Sequence, residues 1–157
     1  MDPDEKLTKR ARNTAYRHLT IRPRSRAEVE KKLHDRSFPA DIVHSVIDHL
    51  LRLGYLNDEL FARQWAASRV RSRGFGRRRI EQELRLKGIS RDIVRDTLAG
   101  LFKDASELEV ARKEAEKKLK TLARFEPEVR KRRLAGFLER RGFTADIIRS
   151  VLRSLPA

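Results

Sequence analysis

The chain has 157 residues, with 38 Lys+Arg against 23 Asp+Glu and a formal net charge of +15, a balance that points to a polyanionic partner. Cysteine is absent, which excludes disulfide scaffolds and thiolate metal sites. No apolar run approaches the ~20 residues of a membrane span and the charged start MDPDEKLTKR has no apolar core, so a cytoplasmic protein without membrane association is expected.

In chain order, Leu7, Ala11, Ala15 and Leu19 form a helical stripe. After Pro23, Ser25 and Glu28 make a capping box that opens a helix carrying Val29 and Leu33. Ser37 and Pro39 then turn the chain into a helix that buries Ile42. Asn57 or Asp58 caps a longer helix running to about Arg73, with Phe61, Ala62, Trp65, Ala66 and Val70 inward. Ile80 and Leu84 lie on one face of the next, which ends at Gly88 because glycine takes the left-handed conformation without a Cβ clash. Ser90 caps a helix with Ile93, Val94, Thr97, Leu98 and Leu101 inward. Residues 106–124 continue with Leu108, Ala111, Ala115, Leu119 and Leu122 inward, and Glu109/Lys113, Glu114/Lys118 and Glu116/Lys120 at pairing distance outside. Pro127 opens a helix bearing Leu134 and Leu138, Gly142 ends it, and Thr144 caps the last.

These elements are three copies of one pattern. Residues 26–50, 77–101 and 131–155 align without a gap, at offsets of 51 and then 54. Val29, Ile80 and Leu134 share a column, as do Phe38, Ile89 and Phe143, and Ser37 stands in the column of Gly88 and Gly142. Each copy joins its preceding helix to form a three-helix module, at 1–56, 57–102 and 103–157. No strand pattern occurs. Units of about 50 residues bury little surface alone, so an all-α, elongated, curved stack of tandem helix–turn–helix-like repeats is expected.

Catalytic chemistry is not expected. His44 and His49 are off the same-face spacing, and no carboxylate completes a metal triad. Gly74-Phe75-Gly76 follows a helix and lacks the third glycine of a dinucleotide fingerprint. No catalytic, metal or cofactor residue is assigned.

The stretch Arg69–Arg79, RVRSRGFGRRR, has six arginines in eleven residues. Arg77 has Glu81 and Arg79 has Glu83 four positions on, whereas Arg69, Arg71, Arg73 and Arg78 have no acidic residue at helical spacing. Arg77, Arg78 and Arg79 crowd a helix first turn, where cations oppose the dipole and free N–H groups favour anions. The first copy has Glu28 in the column of Arg79, so the fold does not demand arginine there. In the third copy, Glu126 and Glu128 can serve Arg130 and Arg132, which leaves Arg133, Arg140 and Arg141 unpaired. Phe61, Trp65, Phe102 and Phe137 read as core, and Phe75 as the one candidate for an exposed ring. The expected site for a partner or for DNA phosphates is therefore Arg69, Arg71, Arg73, Arg77, Arg78, Arg79, Arg133, Arg140 and Arg141, with salt-sensitive binding and weak sequence selectivity.

The string GYLNDELFARQWAASRVRSRGFGRRRIEQELRLKGI, Gly54–Ile89, closely resembles the central signature of the RecX family of regulatory proteins. SRAEVEKKL and LERRGF fit its outer repeats, and Ser37 in place of glycine departs from it. The resemblance implies a protein that binds the RecA recombinase and its filament on single-stranded DNA. Such proteins block extension of the filament or promote its disassembly, which inhibits strand exchange, ATP hydrolysis and coprotease function. A monomer with no cofactor is expected. A helix–turn–helix DNA-binding regulator is the alternative reading of the same repeats.

Overall fold

The computed structural model describes residues 1–104 and 106–155, so residues 105, 156 and 157 of the expected third module lie outside it. The described residues form nine helices: α1 Pro3–Ile21, α2 Arg26–Asp35, α3 Ala40–Arg52, α4 Asp58–Arg73, α5 Arg77–Leu86, α6 Arg91–Asp104, α7 Glu107–Thr121, α8 Pro127–Arg140 and α9 Ala145–Arg153. No strand is present among them. Extended helix packing occurs only inside the triads α1–α3, α4–α6 and α7–α9. Each triad closes its own apolar cluster. Val29, Leu33, Val46 and Leu50 centre the first, Ile80, Leu84 and Ala66 the second, and Leu134, Leu138 and Phe143 the third.

Local chemistry sets the helix ends as expected from the sequence. Ser25 accepts from the Glu28 amide while the Glu28 carboxylate accepts from the Ser25 amide, completing the capping box. Asn57 caps α4 through the Leu60 amide, and Thr144 caps α9. The turns after α2, α5 and α8 each pass through a left-handed residue, Ser37 (φ 63°), Gly88 (φ 77°) and Gly142 (φ 92°). Serine thus adopts the conformation that its repeat column requires, at a steric cost that glycine avoids. Pro39 sits one residue earlier than expected, at the N-cap of α3 rather than within its first turn.

The accessible surface is 10348 Å² for 18.4 kDa. A compact monomer of this mass exposes roughly 8,200 Å², so about a quarter more surface is wet than a spherical domain would leave. That excess is what three small cores placed in series produce.

Candidate partner interface

The middle helices of the modules are joined end to end. At the joint between the first two modules, the Ser25 hydroxyl donates to the carbonyl of Lys87 at 2.6 Å, and the Arg26 amide donates to the Asp58 carboxylate at 2.8 Å. At the next joint, the Gly76 amide donates to the carbonyl of Arg141 at 2.8 Å, and the Arg77 amide donates to the Glu107 carboxylate at 3.0 Å. Ser25 and Gly76 share a repeat column, as do Lys87 and Arg141, and Arg26 and Arg77. Asp58 and Glu107 are the first residues of α4 and α7. One joint is therefore used twice: a middle helix sets its N-terminus against the C-terminus of the following middle helix, and a carboxylate from that module takes one amide.

This changes the expected role of the α5 terminus. Its N–H groups are not open to a ligand: Gly76 and Arg78 donate to Arg141 and Gly142 carbonyls, and Arg77 to Glu107. The carbonyl end of α8 also offsets the local field, so the three first-turn cations are less opposed than in an isolated helix. The glycines of RGFG serve close approach. A Cβ on Gly74 would overlap the Glu114 carboxylate, and one on Gly76 would stand 2.7 Å from the Gly142 carbonyl.

The expected arginines divide into two groups. Arg69 is not unpaired: its Nε donates to Glu83 at 2.8 Å, and its guanidinium lies 4.4 Å from the Trp65 ring centroid. Arg77 pairs with Glu107 at 3.7 Å rather than with Glu81, which Arg85 holds at 2.7 Å. Arg79 reaches Glu83 at 3.8 Å, as its spacing suggests. Arg141 also has partners, Glu114 at 3.6 Å and the carbonyl of Arg73, so it braces the second joint. Arg71, Arg73, Arg78 and Arg140 are exposed with no ion pair among the described residues. Arg133 is exposed and covers Phe125 at 4.1 Å. The sequence reads these five as unpaired and correctly gives Arg79 to Glu83 on its own helix; it misses Glu83 for Arg69, Glu107 for Arg77 and Glu114 for Arg141, because those partners lie on other helices.

Two aromatic readings change as well. Phe75 is half-buried in the second cluster, with the Arg79 and Arg141 guanidiniums at 4.8 and 6.0 Å, so it offers no free face. Trp65 is only partly buried. It stacks on Phe61, donates to Glu83 at 2.9 Å and has Lys87 4.9 Å from its ring. On α7, Glu114 pairs with Lys117 and Arg141, while Lys118 lies over Phe137.

A second network ties the first joint and was not foreseen. Glu28 accepts two bonds from Arg22, at 2.7 and 3.2 Å, and one from Lys87 at 2.8 Å. Burial works to raise its pKa. Its bonds to Arg22, Lys87 and the Ser25 amide outweigh that and bring it down to about 2. Asp58 shifts the other way, because its burial exceeds what the Arg26 amide returns. No helix of the described residues is long and apolar enough to cross a membrane.

Serial three-helix modules with a repeated joint and solvent-facing arginines define a modular, basic, all-α protein. Three family models match in order: the first three-helix domain of RecX at residues 11–50, the second at 57–98 and the third at 105–152. The chain belongs to the RecX family. It is 37% identical to the regulatory protein RecX of Thermobifida fusca over 95% of this chain and 80% of that one. It is 32% identical to that of Streptomyces coelicolor over 97% and 80%. The crystal structure of RecX from Lactobacillus salivarius superposes with a TM-score of 0.85 at 25% identity, over 96% of this chain and 97% of that one.

Proposed function

We propose that the protein binds the RecA recombinase filament on single-stranded DNA and restrains it, by blocking extension or promoting disassembly. Recombinase, ATPase and coprotease activities fall as a result, within DNA repair and the SOS response. The observation that carries the reading is the repeated joint, seen in a chain of the RecX family. Modules placed by one recurring contact suit a partner that itself repeats along an axis. Arg71, Arg73, Arg78, Arg133 and Arg140 are free to meet its acidic side chains or the DNA phosphates. In this reading the protein works as a cytoplasmic monomer and contributes no catalytic step of its own, in keeping with relatives called regulatory proteins.

The test is ATP hydrolysis by RecA on single-stranded DNA, with increasing amounts of this protein added before or after filament assembly. Inhibition well below one molecule per protomer is expected, since capping a growing end needs few molecules. Unchanged hydrolysis and strand exchange would overturn the reading.

A further inference from the structure

The groove between α5 and α6 is lined by four arginines, of which only Arg77, held by Glu107, serves a joint between modules. Arg77, Glu81 and Arg85 form one wall at one-turn intervals, Arg91, Asp92 and Arg95 form the other, and buried Val94 and Leu98 make the floor of a space of about 590 Å³. Both carboxylates are already taken. Arg85 holds Glu81 at 2.7 Å, and Arg95 meets Asp92 at 3.4 Å. Arg91 is exposed and has no ion pair among the described residues. The guanidinium groups of Arg85 and Arg95 are largely in solvent.

The repeat supplies an internal control. The same six columns in the first module hold Arg26, Glu30, His34, Ala40, Asp41 and His44. In the third they hold Lys131, Ala135, Glu139, Ala145, Asp146 and Arg149. Three modules of one fold thus put four, one and two cationic Lys or Arg residues in the same six places, always beside two carboxylates. Packing of a three-helix module does not require the arginines; the excess is confined to the middle module.

The geometry points to this groove as a binding site for the phosphodiester backbone of a single nucleic-acid strand. The inference deepens the proposed function and rests on its placing the protein beside DNA. Arg85 on one wall and Arg91 and Arg95 on the other present guanidinium forks that suit phosphate oxygens. No aromatic ring lines the groove, so bases are not stacked there and sequence is not read. The groove also lacks an exposed apolar anchor of the kind that centres protein–protein interfaces, which favours a nucleic-acid strand over an acidic peptide.

The experiment uses the full chain and a fluorescent oligothymidylate, with no recombinase present, so its outcome is independent of any effect on RecA. Arg85→Gln, Arg91→Gln and Arg95→Gln are combined, and Arg77 is left intact to preserve the joint. Anisotropy titrations at several salt concentrations should show at least about tenfold weaker binding and a salt slope shallower by about two, from three lost contacts at roughly 0.7 each. A second variant, Glu81→Gln with Asp92→Asn, should bind more tightly than the parent, an outcome that misfolding cannot imitate. Unchanged affinity in the first variant, with an unshifted melting curve, overturns the proposal, as does failure of the second to tighten. A loss of affinity for a polyglutamate peptide with oligothymidylate binding retained also overturns it, and reassigns the groove to acidic proteins.

Discussion

The amide of Arg78 donates to the carbonyl of Gly142 at 3.0 Å, so the first turn of α5 closes on the end of α8. A cluster that reads in the sequence as an anion trap is in large part a seam between modules. The distinction matters for mutagenesis, because arginines only a few residues apart in one run answer to different forces.

Arg69→Gln should lower stability by about 1–2 kcal/mol, since it removes a largely shielded pair to Glu83 and the guanidinium over Trp65. The triple change of Arg71, Arg73 and Arg78 to glutamine should leave the melting temperature within error and weaken binding to the RecA filament. Calorimetry and filament binding on the two variants separate the roles. A triple variant that melts much lower would place those side chains in the seam as well.

Glycine at the seam should be intolerant for two separable reasons. Gly54 and Gly142 both have positive φ, but a Cβ on Gly54 meets open space whereas one on Gly142 would overlap the Arg79 backbone. Gly54→Ala should therefore cost only the left-handed strain, about 1 kcal/mol. Gly142→Ala should cost about 2 kcal/mol or more and raise the radius of gyration measured by X-ray scattering as the joint opens. Equal costs at the two sites would mean that the close approach contributes nothing.

Glu28 should make the first joint sensitive to acid. Its folded pKa of about 2 lies below its ordinary value, so its stabilisation is fully present above about pH 4.5 and is lost as pH falls through about 2. The parent should exceed Glu28→Gln by about 2–3 kcal/mol at neutral pH, and the gap should close across that acidic window. Asp58 titrates in the opposite sense, being stabilising when protonated, which blunts the acid loss of the parent but is common to both proteins. Chemical denaturation at stepped pH measures the gap directly, and a constant gap down to pH 2 would refute the assignment.

Ser37 holds φ 63° where its counterparts are glycine. Ser37→Gly should stabilise the first module by up to about 1 kcal/mol, the strain removed exceeding the entropy added to the unfolded chain. A melting temperature that falls on this substitution would show that the serine side chain makes a compensating bond.

Much of this architecture was legible before any coordinates, and the reason is local. Ser25 with Glu28, Asn57, Thr144, and the column of Ser37, Gly88 and Gly142 act within a few residues of themselves, and periodicity found every buried leucine of the middle helices. The candidate site was legible only in part, because its deciding contacts are distant in sequence. Arg69 finds Glu83 at a separation of 14 residues, Arg77 finds Glu107 at 30, and Glu28 finds Lys87 at 59. A search for charges three or four positions away is blind to all three. The tandem offsets did hold the clue, since Ser25 and Gly76 occupy one column, but a column identifies equivalent places and does not say what faces them.

The residues that make the joint are altered at both free ends of the array. At one end, Ser37 carries a Cβ where Gly88 and Gly142 leave room for the neighbouring helix. At the other, α8 begins four residues before the column of Arg77, so the amide that would greet a further module is spent: Arg130 already donates to Glu126 at 2.9 Å. The two free ends therefore differ from the two internal joints in the residues that make the contact: a Cβ stands where the internal joints have glycine, and a helix-bonded amide where they have one given to the neighbour.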